Sequence, residues 1–192
     1  MPSSSDLGKL DILLGQDVSE QYKLLLSEDS PMLRRSFVRS FFAYVEGITY
    51  VLKRDALSLV RIQSGVYSPG EISILTEENY GINNRGELTK QRKFLPTAEN
   101  FLFAMKMFLK TIPNVDVDIQ VGSKEWQHFI TALQIRHRIV HPKQELDLEI
   151  SDDEKKLLLA VSVWFNYIII SKLVEAVRSL DKLYRENQRQ ES

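Results

Sequence analysis

The sequence predicts an all-α protein, an up-and-down bundle of four to five main helices with at most a minimal β ribbon. Three observations carry that prediction. Four long segments repeat apolar residues at spacings of three and four, the signature of one buried helical face. Capping or proline signals stand at the start of each of those segments. Alternating patterns are confined to two short runs, "VDVDIQV" at 115–121 and "LDLEI" at 146–150, too little for a sheet. A chain of 192 residues suits one domain with a substantial core. That domain is expected over 1–192, with its core at about 30–187, residues 1–29 as an N-terminal extension and 188–192 as a frayed tail.

The first segment is "DSPMLRRSFVRSFFAYVEGITYVLKRDAL", where Ser30 is placed to cap and Pro31 sits in the first turn without losing a needed donor. Phe37, Phe41, Tyr44, Val45, Ile48 and Leu52 follow helical spacing, predicting a helix to about residue 62. Arg34, Arg35, Arg39, Lys53 and Arg54 lie mostly off that stripe and are expected to be solvated. From 63 to 95 glycines and Pro69 punctuate the chain, leaving room only for a short helix in "EISILTEENY" before the basic run "RGELTKQRKF". Pro96 then opens "PTAENFLFAMKMFLKTI", with Phe101, Met105, Phe108 and Leu109 on one face and methionine as core filler. Ser123 caps a helix that must stop near Pro142, because the residue before a proline is pushed out of the helical region. "SDDE" at 151–154 forms a capping box for a last helix reaching about residue 187. Its "LLLAVSVWFNYIII" is interrupted by Ser162 and Asn166 and is too short for a comfortable membrane span, so it is expected at the centre of the bundle.

Composition narrows the function. The 25 basic and 26 acidic side chains nearly cancel, so no global positive field marks a nucleic-acid or anionic-membrane binder, and such a partner must be met locally. With no cysteine there is no disulfide framework, thiolate zinc site or thiol nucleophile, which fits a reducing compartment. The opening "MPSSSDLGKLDILLGQ" does not read as a secretory signal, and a cytoplasmic location is expected, with no membrane partner.

The chemistry concentrates in "QIRHRIVHPK" at 134–143, which holds two of the three histidines. If Trp126, Phe129, Ile130, Leu133 and Val140 define the buried direction, Arg136 falls roughly 60° to one side of it, His137 roughly 40° to the other and His141 roughly 80°. All three are therefore expected to face inward, whereas Arg138 points away. Inward polar groups need partners or a water-lined cleft. One reading is semi-buried side chains meeting free carbonyls near a helix C-terminus. The other is a phosphate site, in which arginine offers a planar fork and histidine moves protons. His137 and His141 have the i, i+4 spacing of a zinc pair, but Arg138 stands where a metalloprotease has its glutamate and His128 points elsewhere. No metal and no cofactor is assigned.

Arg136 followed by a polar residue, three more residues and His141, near the end of a helix in a helical protein, resembles the Arg-x4–6-His motif of the HEPN superfamily, the higher eukaryote and prokaryote nucleotide-binding domains. "NNRGELTKQRKFLPTAEN", "IRHRIVHPK" and "LDLEISDDE" also look like uncharacterised bacterial members. Where that family commonly has asparagine, this chain has His137. The resemblance implies a HEPN-like bundle and a metal-independent endoribonuclease, a toxin or defence effector, acting as a homodimer with two motifs across one cleft. It implies that His141 moves the proton of the ribose 2′-hydroxyl or of the leaving oxygen, that Arg136 holds the phosphate and that His137 orients one of them. Lys90, Arg92, Lys93 and Lys143 are then candidate RNA contacts. Other members are inactive or bind nucleotides. A non-catalytic dimerisation or adaptor protein, or a nucleotide-binding member, therefore stands beside the ribonuclease, and an antitoxin or other protein is a candidate partner.

Overall fold

The structure, a computed structural model, describes residues 4–60, 66–92, 95–110, 112 and 119–190. These form an all-α chain: α1 (Ser4–Glu28), α2 (Pro31–Val60), α3 (Pro69–Leu75), α4 (Thr97–Lys110), α5 (Lys124–Val140) and α6 (Asp152–Gln190). A two-stranded antiparallel ribbon, β1 (Glu78–Ile82) with β2 (Leu88–Arg92), and a 3₁₀ turn at Glu145–Leu148 complete it. Two compact units divide the chain, one of Met1–Ile48 with Asp118–Val177, the other of Thr49–Val117 with Arg178–Ser192.

The first unit is built on aromatic packing. The α2 stripe anticipated from its spacing is buried, Phe37, Phe41 and Val45 completely. Phe41 meets Phe165 of α6 edge-on at 5.7 Å, and Phe129 of α5 stacks on the same Phe165 at 6.0 Å. Edge-to-face and offset rings at this separation add about 0.5–1.5 kcal/mol per pair beyond their burial. Helix α1 was given no element by the sequence reading, which treated residues 1–29 as an extension. Yet Val18 and Leu25 are buried on it. Gly47 allows the approach of α1 to α2, since a Cβ there would overlap Leu14 Cδ1. The start of α6 is tied to the α1–α2 junction by Arg34, whose Nε and Nη2 donate to the two oxygens of Asp29 at 2.7 Å each. Arg34 also donates to Asp152 at 2.6 Å and to the Ile150 carbonyl at 2.7 Å. This pairing, with Lys155, holds the Asp29 carboxyl far below its usual range. Arg34 is thus not part of a simple solvated face.

The second unit packs Ala56, Tyr67, Leu75 and Met107 together. Tyr67 donates its hydroxyl to the Met107 carbonyl at 2.6 Å, so its ring is buried without an orphaned polar end. Ser68 and Glu71 form a reciprocal capping box at the start of α3. Lys53, expected in solvent, is only 3 % exposed and donates to Glu77 at 3.1 Å. Glu77 itself takes a left-handed backbone, φ 56°, in the turn that leads from α3 into the ribbon.

The ribbon begins inside "EISILTEENY", the stretch expected to hold a short helix, which ends instead at Leu75, and it continues through chain expected to be loop. "LDLEI" instead makes the 3₁₀ turn and then extended chain, and residues 119–121 of "VDVDIQV" are irregular, its remaining residues lying outside the described ones. Asn83 makes the hairpin. Its carbonyl accepts from the Gly86 N–H at 2.9 Å, its side-chain oxygen accepts from the N–H groups of Arg85 and Glu87, and Gly86 takes φ +75°, a turn followed by a left-handed residue that joins antiparallel strands. Helix α6 continues to Gln190, past the expected end, and its face is not enclosed on all sides: Val163 is 55 % and Tyr167 72 % exposed. Among the described residues no helix is long and apolar enough to cross a membrane.

Candidate functional site

Helix α5 starts and stops where its sequence dictates. The Ser123 hydroxyl accepts the Trp126 N–H at 3.1 Å, and Glu125 sits in the first turn, where the helix dipole favours an anion. At the other end His141 leaves helical geometry, φ −125° and ψ 57°, while its N–H still donates to the His137 carbonyl at 3.0 Å. Pro142 follows and enforces the departure.

The buried residues of α5 are Trp126, Phe129, Ala132, Ile135 and Ile139. They correct the expected stripe, because Val140 is 39 % exposed and Ile130 and Leu133 are only partly covered. Steps of three residues turn the buried direction backward by about 60° each, so at the end of the helix it points along Ile135 and Ile139. His137 is then roughly opposite the core and His141 roughly 140° from it. The inward placement expected of His137 and His141 does not hold; both are exposed. Arg136, roughly 80° from the core direction, is half-buried.

What the structure brings together is a surface group at the end of α5. The rings of His137 and His141 lie 5.1 Å apart, tilted by 56°. Beside them in sequence, Arg136 donates through Nη2 to Glu46 of α2 at 2.7 Å. Arg138 is likewise paired, with Glu154 of α6 at 2.8 Å. Lys143 is exposed, and its backbone N–H donates to Asp147 at 2.7 Å, which holds the Asp147 carboxyl below its ordinary range. His128 lies more than two turns before His137 and is not part of this group.

Of the candidate RNA contacts, Lys90 is exposed on β2 and pairs with Glu78, Arg92 ends β2, and Lys93 lies outside the described residues. Lys90 and Arg92 belong to the second unit, the α5 group to the first. Glu46 is the residue that sequence reasoning missed. Its signal was present, since it is the one charge between Arg39 and Lys53 on an otherwise apolar and small-polar stretch. Among the described residues no group of three or more histidine, cysteine, aspartate or glutamate side chains is arranged to hold a metal ion. A separate groove of ≈ 340 Å³ runs between α1 and α6, lined by Val18, Tyr22, Leu26 and Val163 with Lys23 and Asn166, and none of the motif residues enters it.

Chemically, the group at the end of α5 offers two accessible imidazoles and two guanidinium groups, Arg136 and Arg138, each with donors left over, a set able to bind an oxyanion and move protons without a metal. Comparison of the chain with protein-family models, with curated proteins and with solved structures gave no match. The class that the fold defines is an all-α helical protein carrying a minimal ribbon.

Proposed function

We propose that the chain is a metal-independent endoribonuclease of HEPN type, with a site shared between two copies. The observation that carries this reading is the exposed pair His137 and His141, 5.1 Å apart, next to an arginine held in place by Glu46. Accessible imidazoles suit a large substrate that must approach from solvent. In the reaction a histidine takes the proton of the ribose 2′-hydroxyl, that oxygen attacks phosphorus, and the leaving 5′-oxygen takes a proton from a second group. The products are a 2′,3′-cyclic phosphate and a 5′-hydroxyl. Arg136 binds the phosphate oxygens as charge develops on them.

On one helix Arg136 and His141 are separated by about 7.5 Å of rise and roughly 140° of rotation, so the partner's His141 reaches the phosphate held by Arg136 more easily. Cleavage should persist in excess chelator. His141→Ala and Arg136→Ala should each lower it by about 10²–10⁴-fold with the fold and dimer intact, and mixing the two variants should restore part of it. Unchanged cleavage in both purified variants would sink the proposal.

A non-catalytic dimerisation or adaptor role is the second reading. It is favoured by the α1–α6 groove and by the exposed Val163 and Tyr167 on α6, an apolar surface suited to a protein partner.

A further inference from the structure

His137 and His141 have a property that the cleavage chemistry does not need. Both are exposed, and among the described residues no hydrogen bond or ion pair engages either ring, so their nitrogen lone pairs are open to a ligand. The ring centres lie 5.1 Å apart. Zinc sits about 2.0–2.1 Å from an imidazole nitrogen and the ring centre about 1.1 Å further on, so two imidazoles at the tetrahedral angle have centres about 5.2 Å apart. The observed separation is that of two rings on one ion. The backbone maintains it, because the His141 N–H donates to the His137 carbonyl at 3.0 Å and holds the two residues one turn apart although His141 has left the helix. Charge at this end of α5 also suits a cation. The last carbonyls form the negative pole of the helix dipole. The cations beside the pair, Arg136 and Arg138, are each met by a carboxylate, Glu46 at 2.7 Å and Glu154 at 2.8 Å, and Lys143 is followed by the carboxylates of Glu145 and Asp147.

We propose that His137 and His141 form a two-imidazole site for zinc, and that its occupancy switches RNA cleavage off. The inference rests on the ribonuclease reading for this consequence, while the binding itself stands apart from it. Neutral imidazole suits zinc; Mg²⁺ and Ca²⁺ prefer oxygen ligands and do not compete for it. With two protein ligands, water fills the remaining positions, so the ion exchanges with solvent and is no part of the fold. Arg138 stands where a zinc hydrolase has its glutamate base, and no third protein ligand joins the pair among the described residues, so the ion blocks chemistry and does not supply it. A ring bound to zinc has given up the lone pair that would take the proton of the ribose 2′-hydroxyl, and its other nitrogen already carries a hydrogen. Both histidines are then lost as proton carriers at once.

Calorimetric titration of the full chain with Zn²⁺ tests the site separately from cleavage and should give one ion per chain. His137→Ala and His141→Ala should each weaken binding by at least about tenfold, the low end of what losing even an outer partner of a metal ligand costs. His128→Ala should leave it unchanged. Circular dichroism of the His137 and His141 variants should match the wild type, since both side chains are exposed. Cleavage by the wild type should fall as Zn²⁺ is titrated in and return when a chelator is added. Wild-type affinity in the His137 and His141 variants would overturn the site, and so would one ion per two chains, which would place the ligands on different copies. Full cleavage with zinc bound would overturn the switch. Zinc binding that needs both histidines, in a chain that cleaves no RNA, would remove the ribonuclease and leave the metal site standing.

Discussion

Replacing Glu46 with glutamine isolates the side-chain contact that holds Arg136 among the described residues. The Nη2 to Oε1 distance is 2.7 Å, with the arginine side chain 27 % and the glutamate 48 % exposed. Two unit charges at that distance attract by about 1.5 kcal/mol in bulk water. Ordering two long side chains and solvent screening reduce the net worth of such an exposed pair to about 0.2–1 kcal/mol. Glu46→Gln should therefore cost no more than about 1 kcal/mol, a fall in Tm of about 2–4 °C for a chain of this size. It also removes an anion that competes with phosphate for the same guanidinium. The same energy, returned to binding, should raise affinity for a 2′-O-methyl oligouridylate by up to about fivefold. Anisotropy titration reads the gain, which should vanish in about 1 M salt, where the screening length is about 3 Å. In an Arg136→Ala background the Glu46 change should have no effect, because the two residues then share no interaction. Weaker RNA binding by Glu46→Gln, or a gain that survives in the Arg136→Ala background, would refute the competition.

Two helical glycines of the first unit should respond oppositely to alanine. A Cβ on Gly15 would meet the Tyr44 ring at an ordinary 3.6 Å, so Gly15→Ala should stabilise by about 0.5–1 kcal/mol through helix propensity. Gly47→Ala gains the same propensity but must displace Leu14, and denaturant titration should show no net gain or a loss. Phe129 is fully buried among Phe42, Trp126, Trp164 and Phe165, so Phe129→Ala should cost about 3–5 kcal/mol by the same measurement. In the second unit Lys110 and the Ser68 N–H lower the Glu71 carboxyl from 4.5 to about 2. Its contribution is complete above pH 4.5 and is lost as pH falls toward 2. The stability advantage of wild type over Glu71→Gln should shrink across that window in acid titration, and an advantage independent of pH would contradict the pairing.

The helices were legible wherever burial lies on one continuous stripe. Phe37, Phe41, Val45, Ile48 and Leu52 on α2 could be read directly because each was both correctly spaced and large. Helix α1 escaped because among its described side chains only Val18 and Leu25 are buried, and its two glycines and serines weaken the periodic signal. The ribbon escaped for a different reason. Among the described side chains of its strands, "ENYGI" and "LTKQR", none is buried, and the sequence shows no alternation of apolar and polar residues. What makes them a hairpin is local, the Asn83 side chain and the left-handed Gly86, and that turn chemistry was present in "NNRG".

The same distinction explains why the end of α5 was read in the wrong orientation. A single buried direction averaged over seventeen residues treats the helix as a straight cylinder against a flat core. The packing instead follows Trp126, Phe129, Ala132 and Ile135 at intervals of three, which winds the contact surface around the helix by about 180° before the motif is reached. Large residues announce the first two positions of that path, but Ala132 carries almost no signal, and without it Ile130 and Leu133 draw the averaged direction toward His137. The winding has a chemical consequence. A straight stripe would have turned both imidazoles toward the core, where each needs a fixed partner. The wound one leaves His137 and His141 in solvent and keeps Arg136 against α2, where it pairs with Glu46. The proposed cleavage calls for accessible proton carriers beside a held arginine, so the feature that misled the orientation is also the one that proposal uses.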